Sequence, residues 1–289
     1  MGSSQPGSGI AREVLKRAAH PRSRRAGSDT ATILDRLVQE STAEVGARRA
    51  RVSDAEINVR AKSAPTVRDF RAALHRQGLA VIAEMKAASP SAGRLVKGVY
   101  DPAGFAREYA RGGAAALSVL CQQTSFGGAP EHLATARAAS RLPLLRKDFI
   151  VDEYQVIEAR AYGADAVLLI VAALSRGRLA DLLGVSRSYG MGAILEVHDE
   201  TELAVALEAG TRIVGVNHRD LRTLEVDLEL TARLRASIPS EVTVVAESGI
   251  ADAATARRLR EAGADAVLVG EALLRAPDPA ALIAEMATA

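Results

Sequence analysis

Glutamates and lysines recur in this chain where apolar, strand-like runs stop. Val81-Ile82-Ala83-Glu84-Met85-Lys86 ends in Glu84 and Lys86 and then breaks into Ala-Ala-Ser-Pro-Ser-Ala-Gly. In a strand, positions two apart share a face, so Ile82, Glu84 and Lys86 point the same way. Opposite charges on a core-directed face are costly unless that face opens onto a polar site. One such pair reads most simply as a structural ion pair at a strand end. Here the pattern returns: Lys147 follows Leu-Pro-Leu-Leu-Arg, Glu196 follows Ala-Ile-Leu, Asn217 and Arg219 follow Ile-Val-Gly-Val, and Glu247-Ser248-Gly249 follows Thr-Val-Val-Ala. A lysine beside a glutamate in a dehydrated pocket can act as acid or base, because burial and neighbours shift both groups. Schiff-base chemistry is also open to a desolvated lysine.

The elements that must hold these residues are regular. After Gly78, strand-like runs occur at 80–86, 115–120, 142–146, 166–170, 193–197, 213–217, 243–247 and 266–269. Helical patterns lie between them at about 102–111, 130–139, 152–162, 175–189, 199–209, 227–236 and 252–262, with a last one at about 278–287. Gly163-Ala-Asp-Ala-Val-Leu-Leu and Gly263-Ala-Asp-Ala-Val-Leu-Val are near copies, and Gly113-Ala-Ala-Ala-Leu-Ser-Val is a weaker third. Each sets a helix-ending glycine just before a strand. Eight βα units with Val/Ile/Leu-rich strands predict an α/β fold, an eight-stranded parallel (β/α)8 TIM barrel. A doubly wound open sheet is the runner-up, weakened because no Gly-x-Gly-x-x-Gly follows a strand.

Such barrels work at the C-terminal ends of their strands, so the charged residues above converge on one mouth. Ser248 and Gly249 after the seventh strand, and Gly270 and Glu271 after the eighth, can offer bare backbone N–H groups to a phosphate. The plainer reading is that both glycines only make tight turns. Glu271 would repel a phosphate and must turn its carboxylate away.

The preceding region divides in two. Residues 1–29 are rich in Gly, Ser, Pro and Arg and predict a mostly disordered tail. Residues 30–79 predict a helical extension: Ile33, Leu34, Leu37 and Val38 make one apolar stripe, and a third helix is expected over 66–77. Arg48, Arg49 and Arg51 read as a solvated helix face. Residues 80–289 form the barrel domain.

Composition narrows the function. With 48% hydrophobic and 25% charged residues, the 289-residue chain falls in the soluble globular range. A net charge of +2 and 3% aromatics supply neither a strong phosphate-backbone patch nor stacking platforms, so no nucleic-acid partner is expected. One cysteine, Cys121, excludes an internal disulfide framework and fits a cytoplasmic location. The apolar runs are too short to span a bilayer, so no membrane partner is expected. His20, His75, His132, His198 and His218 form no i, i+4 pair, and no metal is expected. His198 and His218 read as loop residues just beyond strand ends.

Several segments together resemble the indole-3-glycerol-phosphate synthase family. They are Ile82-Ala-Glu-Met-Lys-Ala-Ala-Ser-Pro-Ser-Ala-Gly, Leu144-Leu-Arg-Lys-Asp-Phe-Ile-Val-Asp-Glu-Tyr-Gln, Ile194-Leu-Glu-Val-His, Gly215-Val-Asn-His-Arg-Asp-Leu and Val245-Ala-Glu-Ser-Gly-Ile. The resemblance runs from about residue 31 to the C-terminus. It implies ring closure of 1-(2-carboxyphenylamino)-1-deoxyribulose 5-phosphate to indole-3-glycerol phosphate, with loss of CO2 and water, no cofactor, and a role in tryptophan biosynthesis. It assigns Lys147 as general acid, Glu196 as general base and Lys86 as partner of the substrate's anionic groups. Glu84 and Glu247 would set the lysines' charge, and Asn217 would hydrogen-bond the substrate. Ser89, Arg219, Ser248, Gly249, Gly270 and the Glu271 N–H map onto substrate and phosphate contacts, while Pro90, Leu120 and Phe149 would pack on the anthranilate ring. A monomer or weak homodimer is the expected assembly.

The chain departs from the family pattern at Ala87 and Ala92, where basic residues are usual, at Cys121-Gln122-Gln123 in place of Thr-Glu-Pro, and at His218. Alternatives are a paralogue in specialised indole metabolism, a sugar-phosphate isomerase such as phosphoribosylanthranilate isomerase, and a catalytically silent ligand-binding barrel.

Overall fold

The structure, a computed structural model, describes residues 32–90, 93–221 and 223–289. The expectations for residues 1–29 and for Ala92 lie outside the described residues. Helix α1 (Ile33–Arg49) starts at a capping box in which Thr32 and Asp35 each bond the other's backbone N–H. Helix α2 (Asp54–Ser63) is capped by Ser53, and α3 (Phe70–Leu74) by Asp69. The third helix is thus shorter than the expected 66–77. The backbone N–H of Arg68 goes to Asp165 Oδ1 at 2.7 Å, and the Arg68 guanidinium to the carbonyls of Ser140 and Leu142. These bonds fasten residues before Asp69 to the barrel and compete with a helical turn there.

The barrel strands are β1 (Ala80–Met85), β2 (Ala116–Leu120), β3 (Leu144–Lys147), β4 (Ala166–Ile170), β5 (Gly192–Val197), β6 (Ile213–Asn217), β7 (Thr243–Glu247) and β8 (Ala266–Val269). Among the described residues they form one closed barrel of parallel neighbours, with β1 paired to both β2 and β8. The helices between and after them are α4 (Pro102–Arg111), α5 (Glu131–Ala139), α6 (Glu153–Ala161), α7 (Arg176–Ser188), α8 (Glu200–Glu208), α9 (Leu230–Arg235), α10 (Ala253–Glu261), α11 (Glu271–Arg275) and α12 (Pro279–Ala287). Short α11 and a two-residue antiparallel ladder, Ala88–Ser89 with Gly93–Arg94, were not expected from periodicity. Helix α9 starts later than expected because Arg219 bridges Val226 and the Asp227 N–H goes back to the His218 carbonyl.

The repeated Gly-Ala-Asp segments have one physical job. Gly113, Gly163 and Gly263 take φ of 81°, 87° and 94°, which favours glycine. In each copy the next residue's N–H reaches back to Tyr109, Ala159 or Leu259, closing the helix C-terminus. Asp165 Oδ2 then accepts the N–H of Leu144, and Asp265 Oδ2 that of Val244. The helix is thereby stopped and a donor at the start of the neighbouring strand satisfied.

Two apolar layers follow from strand alternation. Leu117, Val119, Val167, Val214 and Val267 face the helices, while Ile82, Leu145, Leu168, Ile194, Val245 and Leu268 fill the interior. The N-terminal extension brackets that interior. Phe70 and Leu74 of α3 join Ala80, Ala116, Ala166 and Ala266 at the strand starts, and Leu37 of α1 packs with Ile170 and Phe149 at the strand ends. Arg48 and Arg49 correct the expectation of a solvated face: Arg48 Nε lies 2.9 Å from Glu158, and Arg49 pairs with Asp152 while covering the Tyr154 ring. Both sit where α1 meets α6, and the acidic residues of α6 and its N-cap draw them in. Arg51 remains exposed.

Candidate active site

Strand alternation turns Glu84, Lys147, Glu196, Asn217 and Glu247 towards the axis at the C-terminal mouth, and Lys86 continues that face one residue past β1. Lys147 Nζ donates to Glu196 Oε2 at 2.8 Å and to Glu247 Oε2 at 2.9 Å. Lys86 Nζ pairs with Glu84 Oε1 at 2.6 Å. Asn217 Nδ2 donates to Glu196 Oε1 at 3.0 Å, and the Asn217 carbonyl Oδ1 accepts the N–H of Arg219. The carboxylates are nearly inaccessible, with Glu196 and Glu247 side chains 1% and 2% exposed.

Two glycines make room for these charges. A Cβ on Gly215 would lie 2.2 Å from Glu247 Oε1, and one on Gly270 would lie 2.4 Å from Glu84 Oε1. Bare backbone on β6 and at the end of β8 is therefore a condition for the carboxylates' positions. The sequence reading named Gly270, as an expected phosphate contact, and missed Gly215; period-two alternation back from Asn217 is the signal that marks it.

Charge is not balanced here. Glu84, Glu196 and Glu247 face Lys86 and Lys147, which leaves one negative charge in excess. Burial opposes charge on Lys147, but Glu196, Glu247 and Glu84 together hold its pKa well above the usual lysine range. Burial also opposes ionisation of Glu196; the neighbouring Lys147 ammonium, His198 and the Asn217 amide outweigh it and hold that carboxyl down. Glu247 relieves the excess. Its burial, the Glu196 charge and the Glu84 charge push its pKa up to about 7, against the pull of Lys147, and its Oε1 has no hydrogen-bond partner.

Above this ionic floor lies a cavity of about 730 Å³. The sequence-derived residues all line it: Glu84, Lys86, Ser89, Pro90, Leu120, Lys147, Phe149, Glu196, Asn217, Arg219, Glu247, Ser248, Gly249, Gly270 and Glu271. Glu271 pairs with Arg275, its Oε1 2.8 Å from that guanidinium. Ser248 and Gly249 have φ of 68° and 76°, a sharp left-handed turn directly after β7.

The apolar lining of the cavity includes residues that sequence reasoning missed. Ile33 and Leu37 of α1, Phe126 and Leu221 join Leu120 and Phe149 there, and the Phe126 and Phe149 rings lie 6.1 Å apart. The stripe on α1 was legible as a helix face, but nothing local in it specifies that the face closes a barrel mouth. Arg219 also lines the cavity, and its Nη1 donates to the carbonyl of Leu224. Apolar side chains, a guanidinium and two lysine–carboxylate clusters thus share one lining. That arrangement suits a ligand with an aromatic end and an anionic end, and proton transfer between them.

Cys121 does not reach this cavity. Its thiol is fully buried among the residues that face the helices, and burial raises its pKa. His218 is a tie between loops, with Nδ1 3.0 Å from the Ser248 carbonyl and Nε2 2.8 Å from Thr231 Oγ1. Burial lowers its pKa.

Comparison with known proteins agrees with this geometry. A family model described as indole-3-glycerol phosphate synthase matches residues 34–286. Indole-3-glycerol phosphate synthase 2 of Streptomyces coelicolor is 57% identical over 251 residues, covering 87% of this chain and 97% of the relative. Indole-3-glycerol phosphate synthase of Mycolicibacterium vanbaalenii is 50% identical over 260 residues, covering 90% and 95%. Among solved structures, thiamine phosphate pyrophosphorylase from Pyrococcus furiosus aligns with a TM-score of 0.53 at 18% identity, over 72% of this chain and 93% of that one, a likeness of fold alone. A match that spans the α1 cover as well as the barrel, at such identity over nearly whole relatives, means that this chain belongs to the indole-3-glycerol phosphate synthase family.

Proposed function

We propose that this protein closes the indole ring, converting 1-(2-carboxyphenylamino)-1-deoxyribulose 5-phosphate to indole-3-glycerol phosphate, CO2 and water. The observation that carries the reading is the Lys147 ammonium held between Glu196 and Glu247 in a cavity that Phe149, Leu120, Pro90 and Arg219 also line. The anthranilate ring would lie against Phe149, Leu120 and Pro90. The phosphate would meet the backbone of Ser248, Gly249, Gly270 and Glu271, with Arg219 and Ser89 contacting the polar parts of the substrate.

In this reading the ring carbon bearing the carboxylate attacks the ketone carbon, and Lys147 protonates the developing alkoxide. Carbon dioxide then leaves, and its bonding electrons return to the ring system. Lys86 protonates the departing hydroxyl, Glu196 removes a proton beside the nitrogen, and water is expelled. The electrostatics link these steps. Glu196 is a weak base while Lys147 is charged; once Lys147 has given up its proton, Glu196 loses its main counter-charge and becomes more basic. The acid step thereby readies the base.

The test is a direct assay of the purified protein on that substrate, with no metal or nucleotide added. Indole fluorescence should appear, with one molecule of CO2 released per product. Absence of turnover at saturating substrate would overturn the proposal.

A further inference from the structure

The proposed reaction gives no task to His198, a largely buried group beside Glu196. His198 follows Glu196 by two residues, so its ring turns to the same side of β5 as that carboxylate. Its side chain is only 12% exposed. Nδ1 lies 3.0 Å from Glu202 Oε2 in the first turn of α8, and the same oxygen accepts the His198 backbone N–H at 2.8 Å. Glu202 is fixed in turn, because its own N–H donates to Asp199 Oδ1. On the inner side, Nε2 is buried without an aligned hydrogen bond and lies 3.5 Å from Glu196 Oε1.

Both ring nitrogens therefore face carboxylates, which when ionised only accept hydrogen bonds. A neutral imidazole would turn a lone pair towards one of them; the imidazolium turns an N–H to each. We infer that His198, clamped by Glu202, is a positioning residue for Glu196: a second cation that orients Oε1 and keeps the carboxylate ionised after Lys147 has given up its proton. The inference rests on the role proposed above for Glu196. The charged groups facing the ring agree with it. Burial disfavours the cation, yet Glu202, Glu196 and, further off, Glu247 raise the His198 pKa above its ordinary value. Asn217 also donates to Glu196 Oε1, but as a neutral amide it cannot hold that charge.

The decisive experiment needs no substrate. In the ligand-free protein, nitrogen NMR should find both His198 ring nitrogens protonated at pH 7, and Glu202→Gln should lower the pH at which that state is lost. Carbon NMR of the Glu196 carboxyl should titrate about one pH unit higher in His198→Asn than in wild type. With substrate, His198→Asn should lower kcat about tenfold at little cost in KM, and move the acidic limb of the kcat profile to higher pH. A purely structural histidine would change the melting temperature but not that limb. A neutral His198 at pH 7, or an unmoved Glu196 titration in His198→Asn, overturns the inference even if the enzyme is active. Failure to turn over the substrate, with both NMR results as expected, overturns the assigned reaction instead.

Discussion

Arg146 and Lys147 are adjacent on β3, are both largely buried, and each bridges two acidic side chains, yet they sit in opposite worlds. Arg146 points outwards. Its Nε and Nη2 reach Asp148 Oδ2 at 3.1 and 2.8 Å, and Nη1 reaches Glu158 Oε2 and the Gln155 carbonyl at 2.9 Å. Arg48 closes the far side of Glu158, and Glu44 joins Arg48 to the backbone and side chain of Thr124. This outer network fastens α1 to the loops after β2 and β3. Lys147 points inwards, where it donates to two carboxylates and keeps one N–H for the cavity. A guanidinium stays charged and fits planar, fully satisfied structure; an ammonium can give up its proton. Alternation along one strand separates scaffold from chemistry.

Substitutions that exchange these properties should split the two networks. The largest effect is expected from Lys147→Arg, which keeps the charge but not a transferable proton. It should lower kcat about 10³-fold or more while the melting temperature barely moves. Retention of near-wild-type kcat would make Lys147 an electrostatic group only. Next, Arg146→Met strands Asp148 and Glu158 in the interior and should cost about 3–5 kcal/mol in urea unfolding, with kcat per folded molecule changed far less. Equal losses of stability and kcat would merge the networks that we separate.

A smaller effect concerns Glu247, whose folded carboxyl is raised from 4.5 to about 7. A raised acid holds its proton more tightly when folded, so its contribution is fullest below the unfolded value and fades as pH rises through the folded one. Wild type should thus lose stability relative to Glu247→Gln between about pH 4.5 and 7, by about 1–3 kcal/mol in denaturant titrations. The opposite slope would mean that Lys147 neutralises Glu247 fully. The smallest effect is expected at Gln122, whose Nε2 donates to Glu40 at 2.9 Å and Glu44 at 3.2 Å. Gln122→Glu sets a third carboxylate against those two, and should cost about 1 kcal/mol and be largely reversed by adding Glu44→Gln. Independence of the two changes would show that the clasp between α1 and this loop carries no energy.

Much of the site was readable because period-two alternation and the C-terminal ends of strands are both local features. Glu84, Lys147, Glu196, Asn217 and Glu247 could be assigned to one mouth before any coordinates. Helix boundaries were close wherever a capping residue or a left-handed glycine marked them, as at Gly163 and Gly263. They failed over 66–77, where the bonds that compete with the helix go to Asp165, Ser140 and Leu142, all distant in sequence. Arg48 and Arg49 failed for the same reason, since their partners on α6 lie about a hundred residues away. Gly215 looked like any small strand residue until Glu247 was seen above it.

The sequence by itself determined the number of barrel strands, the inward face of each and the chemical types gathered at the mouth, because those follow from backbone periodicity and nearest-neighbour turn chemistry. Only the tertiary structure decided how the charges are shared. Which carboxylate most readily takes a proton, which histidine faces Glu196 and which helix lines the cavity all depend on ångström-scale distances between segments far apart in the chain. Coulombic and desolvation energies vary steeply over those distances.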